Sequence, residues 1–180
     1  MIKRAFDIMS ALIALVVLLP LLFIIAFVVW KETKGGAFFR QTRIGKDGKS
    51  FDLLKFRSMR SDASGPLITV GDNDQRITRS GHWLRRTKLD ELPQLWNVLV
   101  GEMSIVGPRP EVAKYVALYD QKMLEALKVK PGLTDPASID AFDEGAELES
   151  VDDPEAHYCK VILPRKVLAQ VAYANRQVAP

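Results

Sequence analysis

Residues 8–30 read IMSALIALVVLLPLLFIIAFVVW, 23 residues without one charged side chain. As an α-helix this run is roughly 34 Å long at ~1.5 Å per residue, enough to cross a hydrocarbon core of ~30 Å. Lys3 and Arg4 precede it, and Lys31, Lys34, Arg40 and Arg43 follow. A secretory leader would carry a shorter apolar region and a small-residue cleavage site. Here the chain continues Lys31-Glu32-Thr33-Lys34, so the segment is expected to be retained. Pro20 falls near its middle, where it removes a backbone hydrogen bond and crowds the carbonyl four residues back. Basic flanks favour the cytoplasmic side. A helix bent at Pro20 that enters and leaves by one face satisfies both flanks, whereas a straight span satisfies one. Proline is common in spanning helices, so the residues alone leave both paths open.

Outside this run the 180-residue chain has an ordinary soluble composition, sufficient for one domain with a real core. The net charge of +3 hides a segregation. Residues 31–60 hold nine Lys or Arg against three acids, and residues 135–155 hold nine acids and no base. Basic residues following an apolar anchor suit anionic headgroups or an anionic substrate. The acidic stretch is expected as a solvated face turned away from that surface. No recognised nucleic-acid motif accompanies the basic residues, so a nucleic-acid partner is not expected. One cysteine, Cys159, excludes a disulfide framework, and with only His82 and His157 beside it, structural zinc is not expected. Cys159 reads as a packed small residue.

Residues 38–59 predict a β-hairpin around Gly45-Lys46-Asp47-Gly48, with Phe51, Leu53 and Lys55 alternating. Residues 61–79 are polar and rich in turn formers, hence a loop. Asp90 suits the N-cap of a helix over residues 90–99, with Pro93 in its first turn. Residues 111–128 repeat apolar side chains at helical spacing up to Pro131-Gly132. Residues 154–177 predict a last helix broken at Pro164. The expected class is α+β: a helix-rich cytosolic domain (residues 35–180) with a small hairpin or sheet, docked to the N-terminal membrane helix (residues 1–34).

Three constellations could carry chemistry. Asp90-Glu91 at a helix start would sit in the positive end of the dipole, which favours ionised carboxylates for metal binding or nucleophilic attack; a cap with a favourable first-turn acid is the plainer reading. In Gly107-Pro108-Arg109-Pro110 two prolines fix the backbone around one arginine. Such a rigid fork can hold phosphate bidentately, or be a solvated side chain on a stiff loop. Arg85 lies five residues before Asp90, and Lys55-Phe56-Arg57 reads as a strand whose basic residues face headgroups or substrate.

Together these segments resemble the bacterial sugar transferase family, the small monotopic phosphoglycosyl transferases. The likeness covers nearly the whole chain. It runs from Lys3-Arg4-x-x-Asp7 before a proline-containing apolar helix, through Gln41-x-Arg43-x-Gly45 and Lys55-Phe56-Arg57-Ser58-Met59. It continues through Leu89-Asp90-Glu91-Leu92-Pro93-Gln94-Leu95-Trp96-Asn97-Val98-Leu99 and Gly101-x-Met103-Ser104-x-Val106-Gly107-Pro108-Arg109-Pro110. Lys130-Pro131-Gly132-Leu133-Thr134 closes the set.

The resemblance implies a re-entrant helix, kinked at Pro20, entering from the cytoplasmic face of the bacterial cell membrane. It implies a Mg²⁺-dependent, two-step transfer of a sugar-1-phosphate from a UDP-sugar to polyprenol (undecaprenyl) phosphate, with release of UMP. Asp90 would be the nucleophile, and Glu91 would bind metal or assist proton transfer; Asp90 and Glu91 would both be metal ligands. Arg85, Arg109, Lys55 and Arg57 would hold phosphates, with Pro108 and Pro110 shaping the loop. A homodimer is left open. The chain departs from the family pattern at two places. Leu19-Pro20 stands where a Ser-Pro step is common, and Asp135-Pro136-Ala137-Ser138-Ile139 replaces a glycine-tryptophan-glutamine type segment, so donor identity does not carry over. The rival from another class is a non-catalytic, membrane-anchored protein that binds nucleotide sugar or lipid. A nucleotide-sugar phosphodiesterase is a second rival.

Overall fold

A computed structural model of the chain describes residues 2–61, 74–136 and 144–178. Helix α1, Ile2–Glu32, runs unbroken through Pro20 and is long and apolar enough to cross a membrane. One stripe of it packs on the rest of the chain. Asp7 and Ala11 are buried near its start, Ile25 and Val29 near its end, and Ala14, Leu15, Leu18, Leu21 and Leu22 join them between. These positions recur every three or four residues, the period of one helix face. The remaining faces expose large apolar side chains, among them Ile13, Val17, Phe23, Phe27 and Trp30. Pro20 lies on the exposed side, where a missing backbone bond lets a helix curve toward the surface it packs on.

Strands β1, Phe38–Ile44, and β2, Ser50–Phe56, form the expected antiparallel hairpin, with Phe38 opposite Phe56 and Ile44 opposite Ser50. Asp47 (φ 58°) and Gly48 (φ 73°) make the left-handed bend that reverses the chain. Helix α2, Arg79–Thr87, is capped by the Thr78 hydroxyl, which accepts from the Gly81 amide. Helix α3, Gln94–Val100, ends at Gly101 in the left-handed region.

The charges of α1 complete both of these helices. Arg4 donates to the carbonyls of Val98 and Leu99 at 2.6 and 2.9 Å, at the negative end of α3. Glu32 accepts the amides of Arg79 and Ser80 at 2.9 and 3.1 Å, at the positive start of α2. Asp7, buried, accepts from the Ser104 hydroxyl and the Ile105 amide. Both ends of α1 are therefore tied to the same domain by groups that would otherwise be unpaired helix ends.

Strands β3, Ser104–Val106, and β4, Gly132–Thr134, pair in parallel. A Cβ on Gly132 would lie 2.1 Å from the Gly107 nitrogen, and one on Gly107 would lie 2.4 Å from the Lys130 carbonyl oxygen. The two motifs cross where only glycines fit. Further on come α4 (Ala113–Val116), a 3₁₀ segment (Met123–Lys128), β4, α5 (Glu144–Glu149), α6 (Pro154–His157), one π-helical turn (Tyr158–Ile162) and α7 (Leu163–Val178). The architecture is α+β, with the hairpin and α3 packed on the first half of α1 and α7 closing a second core with Val112, Tyr115, Met123 and Ala126.

Four local expectations are corrected. Asp90 is not an N-cap: Lys88 takes a left-handed conformation after α2, and Leu89–Glu91 form a 3₁₀ turn before α3. The helix expected over residues 111–128 is divided, because the Asp120 carboxylate accepts the Met123 amide at 2.7 Å and restarts the chain there. Pro164 does not break the last helix; the wide π turn ahead of it relieves its clash with the preceding turn. The acidic stretch is no solvated face throughout. Asp135 is buried, Glu147 pairs with His157 and Arg165, and Glu155 pairs with Lys114. Residues 62–73 and 137–143, parts of the expected loop and of that stretch, lie outside the described residues. Cys159 is half-buried and packs against the second core, as expected.

Candidate active site

The 3₁₀ turn after α2 presents Asp90 and Glu91 side by side, and both are buried. Glu91 is fully engaged. Its Oε1 accepts from Lys55 Nζ at 2.9 Å and from Arg109 Nη2 at 2.6 Å, while its Oε2 accepts from Arg109 Nη1 at 3.3 Å. Strand β2, the acidic turn and the loop after β3 thus meet at one carboxylate. Asp90 is in the opposite condition: its Oδ1 is buried and has no hydrogen-bond partner.

The electrostatics follow from those contacts. Burial pushes the Glu91 carboxyl up, but the Arg109 guanidinium and Lys55 ammonium outweigh it and hold Glu91 below the usual carboxylate range. Burial raises Asp90 and wins, although Lys55, Arg85 and Lys88 oppose it. Burial, aided by Arg109, pushes Lys55 down to about 8 against the pull of Glu91. Two adjacent carboxylates are driven in opposite directions, a pattern that separates an electrostatic anchor from a reactive group.

The loop carrying Arg109 is fixed from behind. The Pro108 carbonyl accepts the Gly132 amide at 2.9 Å, and the Pro110 carbonyl accepts Arg43 Nη1 at 2.9 Å. Gln41 in turn accepts from Arg43 Nε and Nη2 at 3.1 and 2.7 Å, so the Gln41-x-Arg43 motif acts on the arginine loop rather than on the acids. Asn97 was not singled out as a site residue. Its side chain accepts the Leu54 amide and donates to the Asp52 carbonyl and to Glu102, which sews β2, and with it Lys55, to α3. Its place in a shared motif was the available signal.

Of the residues expected at the site, Asp90, Glu91, Lys55, Arg109, Pro108 and Pro110 come together. Arg85, half-buried in the last turn of α2, is near enough for its charge to favour ionised Asp90. Arg57 does not join them: it donates to the carbonyls of Gly35, Gly36 and Phe38, bracing the link between α1 and β1. Among the described residues no group of three or more acids, histidines or cysteines converges as a protein-only metal cage. Trp83 on α2 and Trp96 on α3 stand exposed on the helices that flank the acidic turn.

Residues 1–171 match the sequence profile of the family described as bacterial sugar transferase. The chain is 45% identical over 147 residues to a UDP-glucose:undecaprenyl-phosphate glucose-1-phosphate transferase of Escherichia coli K12, covering 79% of this chain and 32% of that protein. It is 47% identical over 146 residues to an exopolysaccharide production protein of Rhizobium leguminosarum bv. phaseoli, covering 76% of this chain and 72% of the relative. A Bacillus subtilis protein named as a possible undecaprenyl-phosphate N-acetylgalactosaminyl 1-phosphate transferase is 49% identical over 111 residues, covering 61% and 62%. The matched part thus amounts to about a third of the Escherichia coli protein's length. With a profile match over nearly its full length, the chain belongs to the bacterial sugar transferase family.

Proposed function

We propose that this protein moves a sugar-1-phosphate from a UDP-sugar to polyprenol phosphate at the cytoplasmic face of the bacterial cell membrane. The observation that carries the reading is the split between the two acids: Glu91 is locked between Lys55 and Arg109, and Asp90 keeps a buried oxygen without a partner. An unpartnered, desolvated carboxylate is a competent nucleophile. An Asp90 oxygen attacks the sugar-bearing phosphorus of the donor, forms an acyl phosphate and expels UMP. An oxygen of polyprenol phosphate then attacks the same phosphorus, giving polyprenol-diphosphate-sugar and restoring the carboxylate. Arg109 and Arg85 offset charge on the transferred group, and Glu91 sets the angle of the Arg109 fork. The exposed apolar faces of α1, with Trp83 and Trp96 nearby, suit lipid contact and bring the acceptor to the acidic turn.

Magnesium is held in enzymes by one or two carboxylates together with substrate phosphates, not by an all-protein cage. The buried, unpartnered Oδ1 of Asp90 fits that donor set. Glu91, expected as a second ligand, has both oxygens taken by Lys55 and Arg109, so Asp90 and the donor's phosphates would hold the ion. The ion, when bound, would neutralise diphosphate charge. The test is UMP release by detergent-solubilised protein given Mg²⁺, a panel of UDP-sugars and undecaprenyl phosphate. Turnover with one donor that depends on lipid supports the transferase and names its sugar. UMP without lipid dependence points to a phosphodiesterase, and no UMP from any donor favours the nucleotide-sugar or lipid binding protein.

A further inference from the structure

We propose that α7 is the positioning element of the arginine loop, with Gln170 acting through Asp135 and Lys166 acting through Glu111 to fix where the Arg109 guanidinium stands. This rests on Arg109 serving as a phosphate ligand. Residues 107–111 form no helix or strand of their own, so their shape is imposed by what they touch. The Arg109 backbone amide donates to Asp135 Oδ2 at 3.1 Å, and the Gln170 side-chain amide donates to the same oxygen at 2.5 Å. Two residues along the loop, Glu111 Oε1 accepts from Lys166 Nζ at 3.1 Å and from the Tyr158 hydroxyl at 2.9 Å. Arg43 reaches the other oxygen of Glu111 at 3.5 Å. The Tyr173 hydroxyl donates to the Val106 carbonyl at 3.0 Å, where the loop leaves β3.

Lys166, Gln170 and Tyr173 follow one another at helical spacing along one face of α7. Lys166 is 9% exposed and Gln170 1%, among Leu163, Val167, Val171 and Ala174. Polar groups there cost desolvation unless bonded, and leucine would pack the same face without that cost. All three instead end on the Val106–Glu111 segment or on a carboxylate that holds it. The consequence for chemistry is geometric. The Arg109 fork must meet Glu91 and a phosphate together, and a displacement of about 1 Å can cost ~100-fold.

The experiment uses the full chain in detergent, with Gln170→Leu and Lys166→Met made alone and combined with Arg109→Ala. Gln170→Leu is expected to lower kcat/KM for UMP release by roughly 10- to 100-fold, and to cause no further loss in the Arg109→Ala background. Lys166→Met is expected to behave alike, with Lys166→Arg restoring most of the rate. Amide hydrogen exchange supplies a readout independent of turnover: the Arg109 amide should exchange faster in Gln170→Leu. The nearly isosteric Asp135→Asn is the second variant, with the same expectations, should Gln170→Leu fold poorly. Equal losses with and without Arg109, or unchanged Arg109 exchange, would overturn the proposal. Wild-type protein that releases no UMP refutes the transferase reading by itself, and the exchange measurement still decides the role of α7.

Discussion

Replacing Asp90 by asparagine should move stability and activity in opposite directions. Asp90 is 6% exposed and its Oδ1 has no hydrogen-bond partner. Burial raises its pKa above the ordinary 3.8. A raised carboxyl binds its proton more tightly in the folded than in the unfolded chain, so stability falls as pH rises through that range. At neutral pH the ionised side chain is therefore a cost to the fold. Asparagine keeps the shape and removes the charge. Asparagine still leaves a polar atom at the Oδ1 site, so what is relieved is the desolvation of the buried charge. Relief of about 1 kcal/mol of that would raise Tm by roughly 2–4 °C in a chain of this size. Activity should vanish, because an amide cannot form the acyl phosphate; loss of a covalent nucleophile typically costs ~10⁴-fold or more. Thermal unfolding at pH 7 and labelled-UMP release read the two effects on one preparation. A Tm several degrees lower would make Asp90 a structural residue, and turnover above about 1% of wild type would assign the nucleophile elsewhere.

Arg109→Lys should lower kcat/KM by roughly 10- to 100-fold, the loss of one charge-assisted bond of ~1.5–3 kcal/mol, because lysine cannot span both Glu91 oxygens as Arg109 does at 2.6 and 3.3 Å; steady-state kinetics near wild type would remove Arg109 from the site. Lys55 is held down to about 8, so it is charged below that pH and neutral above it. Activity should fall as pH rises through about 8, and that alkaline limb should be missing from whatever rate Lys55→Met retains. Gly132→Ala should cost both fold and activity, since its Cβ would lie 2.1 Å from the Gly107 nitrogen; an unchanged Tm would refute the close crossing of the two motifs.

The hairpin was legible because period-2 alternation and the Gly45–Gly48 turn agree on one register. The apolar helix was legible from length alone, and the meeting of Asp90-Glu91 with Arg109 came from motif likeness. What escaped were pairings without a local signature. Asp135 lies 26 residues from Arg109 and 35 from Gln170, and Glu111 lies 55 from Lys166; no periodicity links such positions. Asp90 was misread as a cap because Pro93 three residues on suits a first helical turn equally well. The left-handed Lys88 that inserts the 3₁₀ turn carries no glycine or asparagine to announce it. Arg57 stands outside the acidic cluster because its partners are carbonyls of the link between α1 and β1, which a strand pattern does not reveal.

Both ends of α1 are held by the domain, and this predicts its path at a membrane. A helix of 31 residues is roughly 46 Å long at ~1.5 Å per residue, longer than the ~30 Å hydrocarbon core. In a straight span with the domain on one side, one end would lie beyond the domain's reach. Here Arg4 closes α3, Asp7 is buried against Ser104 and Ile105, and Glu32 caps α2. Separating either end would expose unpaired helix termini and leave Asp7 without its partners. If lipid covers the exposed apolar face, both ends are expected to stay on the side of the domain, as in a re-entrant or shallow-lying helix. Cysteines at Ile2 and Lys34, both exposed, in a Cys159→Ser background should react with an impermeant maleimide from the cytoplasmic side only. Thr33 is unsuitable, since it is buried and bonds the carbonyls of Val29 and Gly36. Labelling of the two positions from opposite sides would refute the docked helix and, with it, the contacts of Arg4 or Glu32. Arg4→Gln separates the roles of that residue. If its bonds to Val98 and Leu99 hold the helix end, Tm should fall while the label at position 2 stays cytoplasmic. If its charge alone sets orientation, the label should move and Tm should not.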